Sequence, residues 1–110
     1  MMALPDNITP LELQGLLEQG TELCLLDVRE ENEWDICHLE GAILAPLSSF
    51  DEWIGGILER QEPLIVYCHT GVRSLHICAA LRHFGVNKAI NLIGGIERWA
   101  TEIADGTPRY

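Results

Sequence analysis

The chain has 110 residues, 47% of them hydrophobic, enough for one modest core and not for two. Lys and Arg number 7 against 17 Asp and Glu, and the net charge of −10 argues against a nucleic-acid surface or docking on anionic lipid, since both need a basic face. No apolar run is long enough to span a bilayer, and Met1 to Pro10 lacks the basic-then-apolar pattern of a signal peptide, so one cytoplasmic domain over residues 1–110 is expected.

Thr9-Pro10-Leu11-Glu12 opens the first helix. Thr9 caps it, Pro10 suits its first turn, and Glu12 completes a capping box. Leu11, Leu13, Leu16 and Leu17 form its expected apolar stripe, and Gly20 ends it. Leu23 to Val28 is a short apolar run that predicts a buried strand. The charged stretch Arg29 to Trp34 predicts a turn or short helix. Ala42 to Ala45 predicts a weaker strand stopped by Pro46. Ser48 or Ser49 then caps a helix to about Arg60, weakened by Gly55-Gly56. Leu64-Ile65-Val66-Tyr67 is the strongest strand. Ser74 to Phe84 predicts a helix with Leu75, Cys78, Ala79 and Leu81 facing inward, ended by Gly85. Ala89 to Leu92 predicts a last strand, Gly94-Gly95 a turn, and Ile96 to Ile103 a last helix. The core is expected over about residues 4–103, with 104–110 an irregular tail.

Strands alternating with helices imply an α/β fold, a parallel sheet covered on both faces. Ligands of such sheets sit beyond the carboxyl ends of the strands, where Asp27–Arg29 and Cys68–Ser74 fall. In Cys68-His69-Thr70-Gly71-Val72-Arg73-Ser74 each part has a use. A cysteine just before a helix N-terminus lies in a positive field that favours an anionic sulfur. Gly71 opens backbone angles closed to other residues, letting loop amides point inward as an anion nest. Arg73 adds a charge with a fork of donors, and Ser74 can cap the following helix. On loop position alone, a nucleophilic Cys68 and a buried core thiol are equally consistent; Cys24 and Cys78, inside apolar patterns, read as core.

The loop Cys68-x-x-Gly71-x-Arg73-Ser74 resembles the active-site loop of the rhodanese family. Asp27-Val28-Arg29-Glu30-x-x-Glu33-Trp34, His38-Leu39-Glu40-Gly41-Ala42 with Pro46, and Leu92-x-Gly94-Gly95-x-x-x-Trp99 resemble three further elements of it, in order and spacing. Together they cover the chain from about Leu4 to Tyr110. The ending Pro108-Arg109-Tyr110 is similar, less specifically, to single-domain members and to domains fused to sulfur-carrier activating enzymes.

The resemblance implies a rhodanese-like domain with a five-stranded parallel sheet between helices. It implies sulfane-sulfur transfer from thiosulfate or a similar donor to cyanide or a thiol through a persulfide on Cys68. Residues His69, Thr70, Gly71, Val72, Arg73 and Ser74 would hold the anionic substrate. Asp27 and Arg29 would support the site, Asp27 by pairing with an arginine and Arg29 by attracting the donor, although a structural salt bridge suits both. Glu33 reads as structural, and His69 as shaping the substrate pocket rather than acting as a base. No metal and no cofactor is implied. The acceptor could equally be another protein, and a non-catalytic binding module is the remaining alternative. The family usually has glycine where this chain has Cys37, so a neutral replacement and a resolving thiol both stand open. Phosphatases and arsenate reductases of the same fold place five residues between cysteine and arginine. Here residues 69–72 make four, a loop sized for one sulfur rather than phosphate.

Overall fold

The computed structural model describes residues 5–104. In chain order the elements are β1 (Asn7–Ile8), α1 (Pro10–Glu18), β2 (Cys24–Asp27), α2 (Glu31–Ile36) and β3 (Ile43–Leu44). A 3-10 turn, Leu47–Ser49, leads into α3 (Phe50–Leu58), followed by β4 (Leu64–Tyr67), α4 (Val72–His83), β5 (Ala89–Leu92) and α5 (Gly95–Glu102). All five strands join one parallel sheet in the order β1-β5-β4-β2-β3.

Every residue of β2, β4 and β5 is buried, as continuous apolar runs require when helices cover both faces. The period of two divides them cleanly. Cys24, Leu26, Leu64, Val66 and Ala89 pack with Ile57 of α3 and Ile77, Cys78 and Leu81 of α4. Leu25, Ile65, Tyr67, Ile90 and Leu92 pack on the other face with Leu13 of α1 and Ile96 of α5. The sheet runs outward from β2 to β3, then returns to place β4 on the opposite side of β2. The carboxyl ends of β2 and β4 therefore flank the point where strand order reverses, the usual place for a site.

α1 carries the expected capping box: the Glu12 amide donates to Thr9 Oγ1 at 3.2 Å and the Thr9 amide to Glu12 Oε1 at 2.9 Å. Its apolar stripe is narrower than expected. Leu13 is fully buried, whereas Leu11 is 67% exposed; two residues of helix turn by about 200°, so both cannot face the core. Leu17 is exposed as well. Ser49 takes the N-cap position of α3, as expected, but neither serine side chain makes a capping hydrogen bond. The Ser48 hydroxyl donates to the Glu30 carboxylate and that of Ser49 to the Pro46 carbonyl, while the 3-10 turn feeds the helix.

α4 begins at Val72, two residues earlier than expected, because Gly71 supplies a left-handed cap with φ 97°. This start also turns the helix. Ser74, Ile77, Cys78 and Leu81 face inward, while Leu75 and Ala79 face out. β1 is too short for a periodic signal and exists by pairing Asn7 and Ile8 with Asn91 and Leu92 of β5. The expected tail from residue 105 on, with the Pro108-Arg109-Tyr110 ending, lies outside the described residues, as does Leu4. Among the described residues no helix is long and apolar enough to cross a membrane.

Candidate active site

Cys68 leaves the end of β4 only 1% exposed. Its sulfur accepts from the Gly71 amide at 3.1 Å and the Ser74 amide at 3.4 Å, and the Ser74 hydroxyl lies at 3.4 Å. The chain must double back within three residues to aim the Gly71 amide at that sulfur, and the positive φ of Gly71 makes this possible. A Cβ there would be strained and 3.1 Å from the Gly94 amide nitrogen.

A second helix end holds the loop from outside. The Ile96 amide donates to the Cys68 carbonyl at 2.9 Å and the Glu97 amide to the His69 carbonyl at 3.0 Å. In a trans peptide the N–H points opposite the C=O, so the His69 and Thr70 amides face away from α5. The approach needs Gly95, because a Cβ at that position would overlap the Cys68 and His69 carbonyls. Amino ends of two helices thus converge on one loop, α4 toward the sulfur and α5 toward the backbone behind it.

The expected substrate-binding residues divide. Gly71 and Ser74 are buried against the sulfur, whereas Thr70 and Val72 are exposed at the rim. The imidazole of His69 turns to α5, its Nε2 lying 3.3 Å from Glu97 Oε2. Arg73 reaches α2 and lays its fork on Glu33, Nη1 to Oε1 at 2.7 Å and Nη2 to Oε2 at 2.8 Å. Glu33 also accepts from the Glu30 amide at 3.1 Å, so one carboxylate caps α2 and clamps the loop. A cation matched in this way braces the loop and adds little net charge for a donor.

Asp27 and Arg29 are both fully buried. Arg29 Nε lies 3.0 Å from Asp27 Oδ1 and Nη2 2.8 Å from Oδ2. The same guanidinium donates to the Cys37 carbonyl at 2.6 Å and the Glu33 carbonyl at 3.4 Å. Of the two roles considered for Arg29, attraction of a donor does not fit this burial. The pair is a rivet from the end of β2 to the carboxyl half of α2.

Cys37 ends α2 and its side chain packs with the cluster on the α1 and α5 face, whereas Cys68 belongs to the cluster on the α3 and α4 face. The sheet separates them, so the geometry favours a neutral replacement over a resolving thiol. Cys24 and Cys78 are core residues. Burial pushes both thiols up, that of Cys78 to about 12. His38 stacks on Trp34 with ring centroids 3.6 Å apart. Among the described residues no group of three or more His, Cys, Asp or Glu is arranged to hold a metal.

Sequence reading missed Asn91, Glu97 and Tyr67. Asn91 Oδ1 lies 2.6 Å from Ser74 Oγ, and the Tyr67 hydroxyl accepts from the Leu39 amide at 3.1 Å. For Asn91 one signal was present, a lone amide in the apolar strand Ala89-Ile90-Asn91-Leu92, since a buried polar group needs a partner. A surface hollow of about 700 Å³ lies elsewhere, between Arg60, Arg82, Phe84 and Lys88 near the amino ends of β4 and β5, and contains no cysteine.

Residues 9–102 match the family model described as Rhodanese-like domain. The chain is 42% identical over 106 residues to the probable adenylyltransferase/sulfurtransferase MoeZ of Mycobacterium tuberculosis. That match covers 96% of this chain and spans only 27% of the relative's length. Among solved structures, a rhodanese-like domain protein from Staphylococcus aureus superposes with a TM-score of 0.78 at 25% identity, covering 86% of this chain and 91% of that one. The human single domain sulfurtransferase TSTD1 shares the fold, with a TM-score of 0.75 at 23% identity over 90% of this chain and 98% of that one.

Proposed function

The chain belongs to the rhodanese-like domain family, and from that premise we propose that it is a sulfurtransferase carrying sulfane sulfur on Cys68. The observation that supports this is the convergence of the Gly71 amide, the Ser74 amide and the Ser74 hydroxyl on one sulfur. Hydrogen-bond donors aimed at a sulfur stabilise it when it bears charge.

The reaction has two steps. The Cys68 thiolate attacks the outer sulfur of thiosulfate or a similar anionic donor. A new S–S bond forms to Sγ, the donor's S–S bond breaks, and its electron pair leaves with sulfite. A thiol or cyanide acceptor then attacks the outer sulfur, and the electron pair of the persulfide bond returns to Sγ; a thiol acceptor gives up its proton to solvent. Splitting the transfer through a covalent intermediate gives each step a good leaving group. In both steps charge leaves or returns to Sγ, the atom on which the loop donors converge.

The acceptor could be a protein. Val72 and Leu75 are 59% and 45% exposed at the start of α4 beside the loop, an apolar rim suited to a protein surface. Phosphate transfer does not fit the four-residue interval from Cys68 to Arg73.

The test is mass spectrometry of protein treated with thiosulfate and desalted without reductant, alongside a thiosulfate–cyanide assay. One sulfur, about 32 Da, is expected on the Cys68 peptide, together with loss of turnover in Cys68→Ser at unchanged circular dichroism. Turnover retained in Cys68→Ser would overturn the assignment.

A further inference from the structure

Ser74 Oγ has one proton and two acceptors in reach. Asn91 Oδ1 lies at 2.6 Å and Cys68 Sγ at 3.4 Å. Ser74 is fully buried and Asn91 is 5% exposed, so bulk water supplies no easy substitute. Asn91 is not free to turn its amide. Its Nδ2 lies 3.3 Å from Asn7 Oδ1, which keeps Oδ1 facing the serine. A line of side chains thus runs from β1 through β5 to the cysteine.

We propose that Asn91 is a positioning residue that competes with Cys68 for the Ser74 hydroxyl proton and so makes that hydroxyl a rotor responding to the charge on Sγ. When Sγ is uncharged, as thiol or persulfide, it is a poor acceptor and the hydroxyl donates to Asn91 Oδ1. Its lone pair can then receive the S–H of the thiol. When Sγ is a thiolate, the hydroxyl swings to the sulfur, because a hydrogen bond to an anion is the stronger of the two. No proton changes owner; only the direction of the O–H bond changes. In turnover, which rests on the persulfide reading above, the swing would occur as the persulfide bond breaks and its electron pair arrives on Sγ. Asn91 satisfies the buried hydroxyl in the uncharged states and weakens its pull on the thiolate.

The test is iodoacetamide alkylation of Cys68 in the fully reduced protein, followed by peptide mass spectrometry across pH, so it does not depend on sulfur transfer. The charged and titratable groups around the loop are the His69–Glu97, Arg73–Glu33 and Asp27–Arg29 pairs, the Tyr67 phenol and the Cys78 thiol of α4, and none is altered. Ser74→Ala is expected to slow alkylation at neutral pH about tenfold, and Ser74→Thr to keep most of the rate. Asn91→Leu frees the hydroxyl for the sulfur and is expected to accelerate alkylation about threefold, with the pH profile moved to lower pH. In Ser74→Ala/Asn91→Leu that gain vanishes. Slower alkylation in Asn91→Leu, or a gain that persists without the serine hydroxyl, overturns the proposal. A general loosening of the fold would move both single variants the same way.

Should Asn91→Leu fail to fold, Asn7→Ala on the exposed edge strand removes only the group that orients the amide. It is expected to produce a smaller acceleration, again lost in Ser74→Ala; no acceleration overturns the proposal. Thiosulfate–cyanide turnover of the unmodified protein is measured in parallel. Its absence would remove the persulfide reading and leave the alkylation result standing.

Discussion

Arg29→Met removes a fully buried cation from beside a fully buried carboxylate, and its cost can be worked from the contacts. Asp27 loses the two side-chain donors that Arg29 Nε and Nη2 provide, keeping the Arg29 amide at 2.9 Å. Breaking a buried pair by deleting one partner costs about 3–5 kcal/mol. The Cys37 and Glu33 carbonyls also lose a donor, so the upper part of that range is expected. Against a total stability of about 5–15 kcal/mol, this removes about a quarter or more. The melting temperature should fall by roughly 15–30 °C for a domain of this size. Asp27→Leu/Arg29→Met should recover part of the loss, because two apolar side chains leave no unpaired charge, but the α2 carbonyls remain unanswered. Urea denaturation followed by circular dichroism of the two single variants and the double variant measures all of this. A loss below about 1 kcal/mol for Arg29→Met would refute the rivet. Arg29→Lys separates the roles: it keeps the charge that would attract a donor and loses the fork that holds α2, so stability should fall although the cation remains.

Gly95→Ala forces a Cβ onto the Cys68 and His69 carbonyls at φ 59°, and is expected to cost about 1–3 kcal/mol and most of the sulfur-transfer activity. Gly55→Ala, with open space inside α3, should instead be neutral or stabilising, and thermal melts of the two compare them directly. Arg73→Ala and Glu33→Gln should each lower stability by about 1 kcal/mol, since the pair is partly exposed, and a double-mutant cycle in urea should show that the two losses are not additive. Above about pH 9 the Cys78 thiol by itself should lower stability with a slope of up to about 1.4 kcal/mol per unit, because burial raises it to about 12 in the folded state and the unfolded chain releases that proton first; Cys24 and Tyr67, also raised by burial, add to the fall. Cys78→Ala should reduce the slope; an unchanged slope would show that the thiol is not held neutral.

Much of the frame was legible in the sequence. Leu64–Tyr67 and Ala89–Leu92 are strands with the bounds the apolar runs imply, since a strand covered on both faces has no polar side to blur its ends. The capping box of α1 is a contact between residues three apart and needs nothing from the rest of the fold. The Cys68–Ser74 segment announces an anion loop through local needs, a strand end, a glycine and a helix start.

Tertiary structure decided which partner each polar group takes. Arg73 and Glu33 are 40 residues apart, and Ser74 and Asn91 are 17 apart. No periodicity links such pairs, and parallel register alone sets Asn91 beside Val66 and Asn7. Ser74 illustrates the difference. Its residue type suits a helix cap, yet the backbone turn at Gly71 starts α4 two residues earlier and turns its hydroxyl inward between Cys68 and Asn91. The sequence by itself determined that a cysteine would stand before a helix on a parallel sheet. Packing decided that Arg73 and Arg29 would be held by carboxylates, because a buried or half-buried cation takes the anion that folding brings nearest, and that anion is distant along the chain or across a turn.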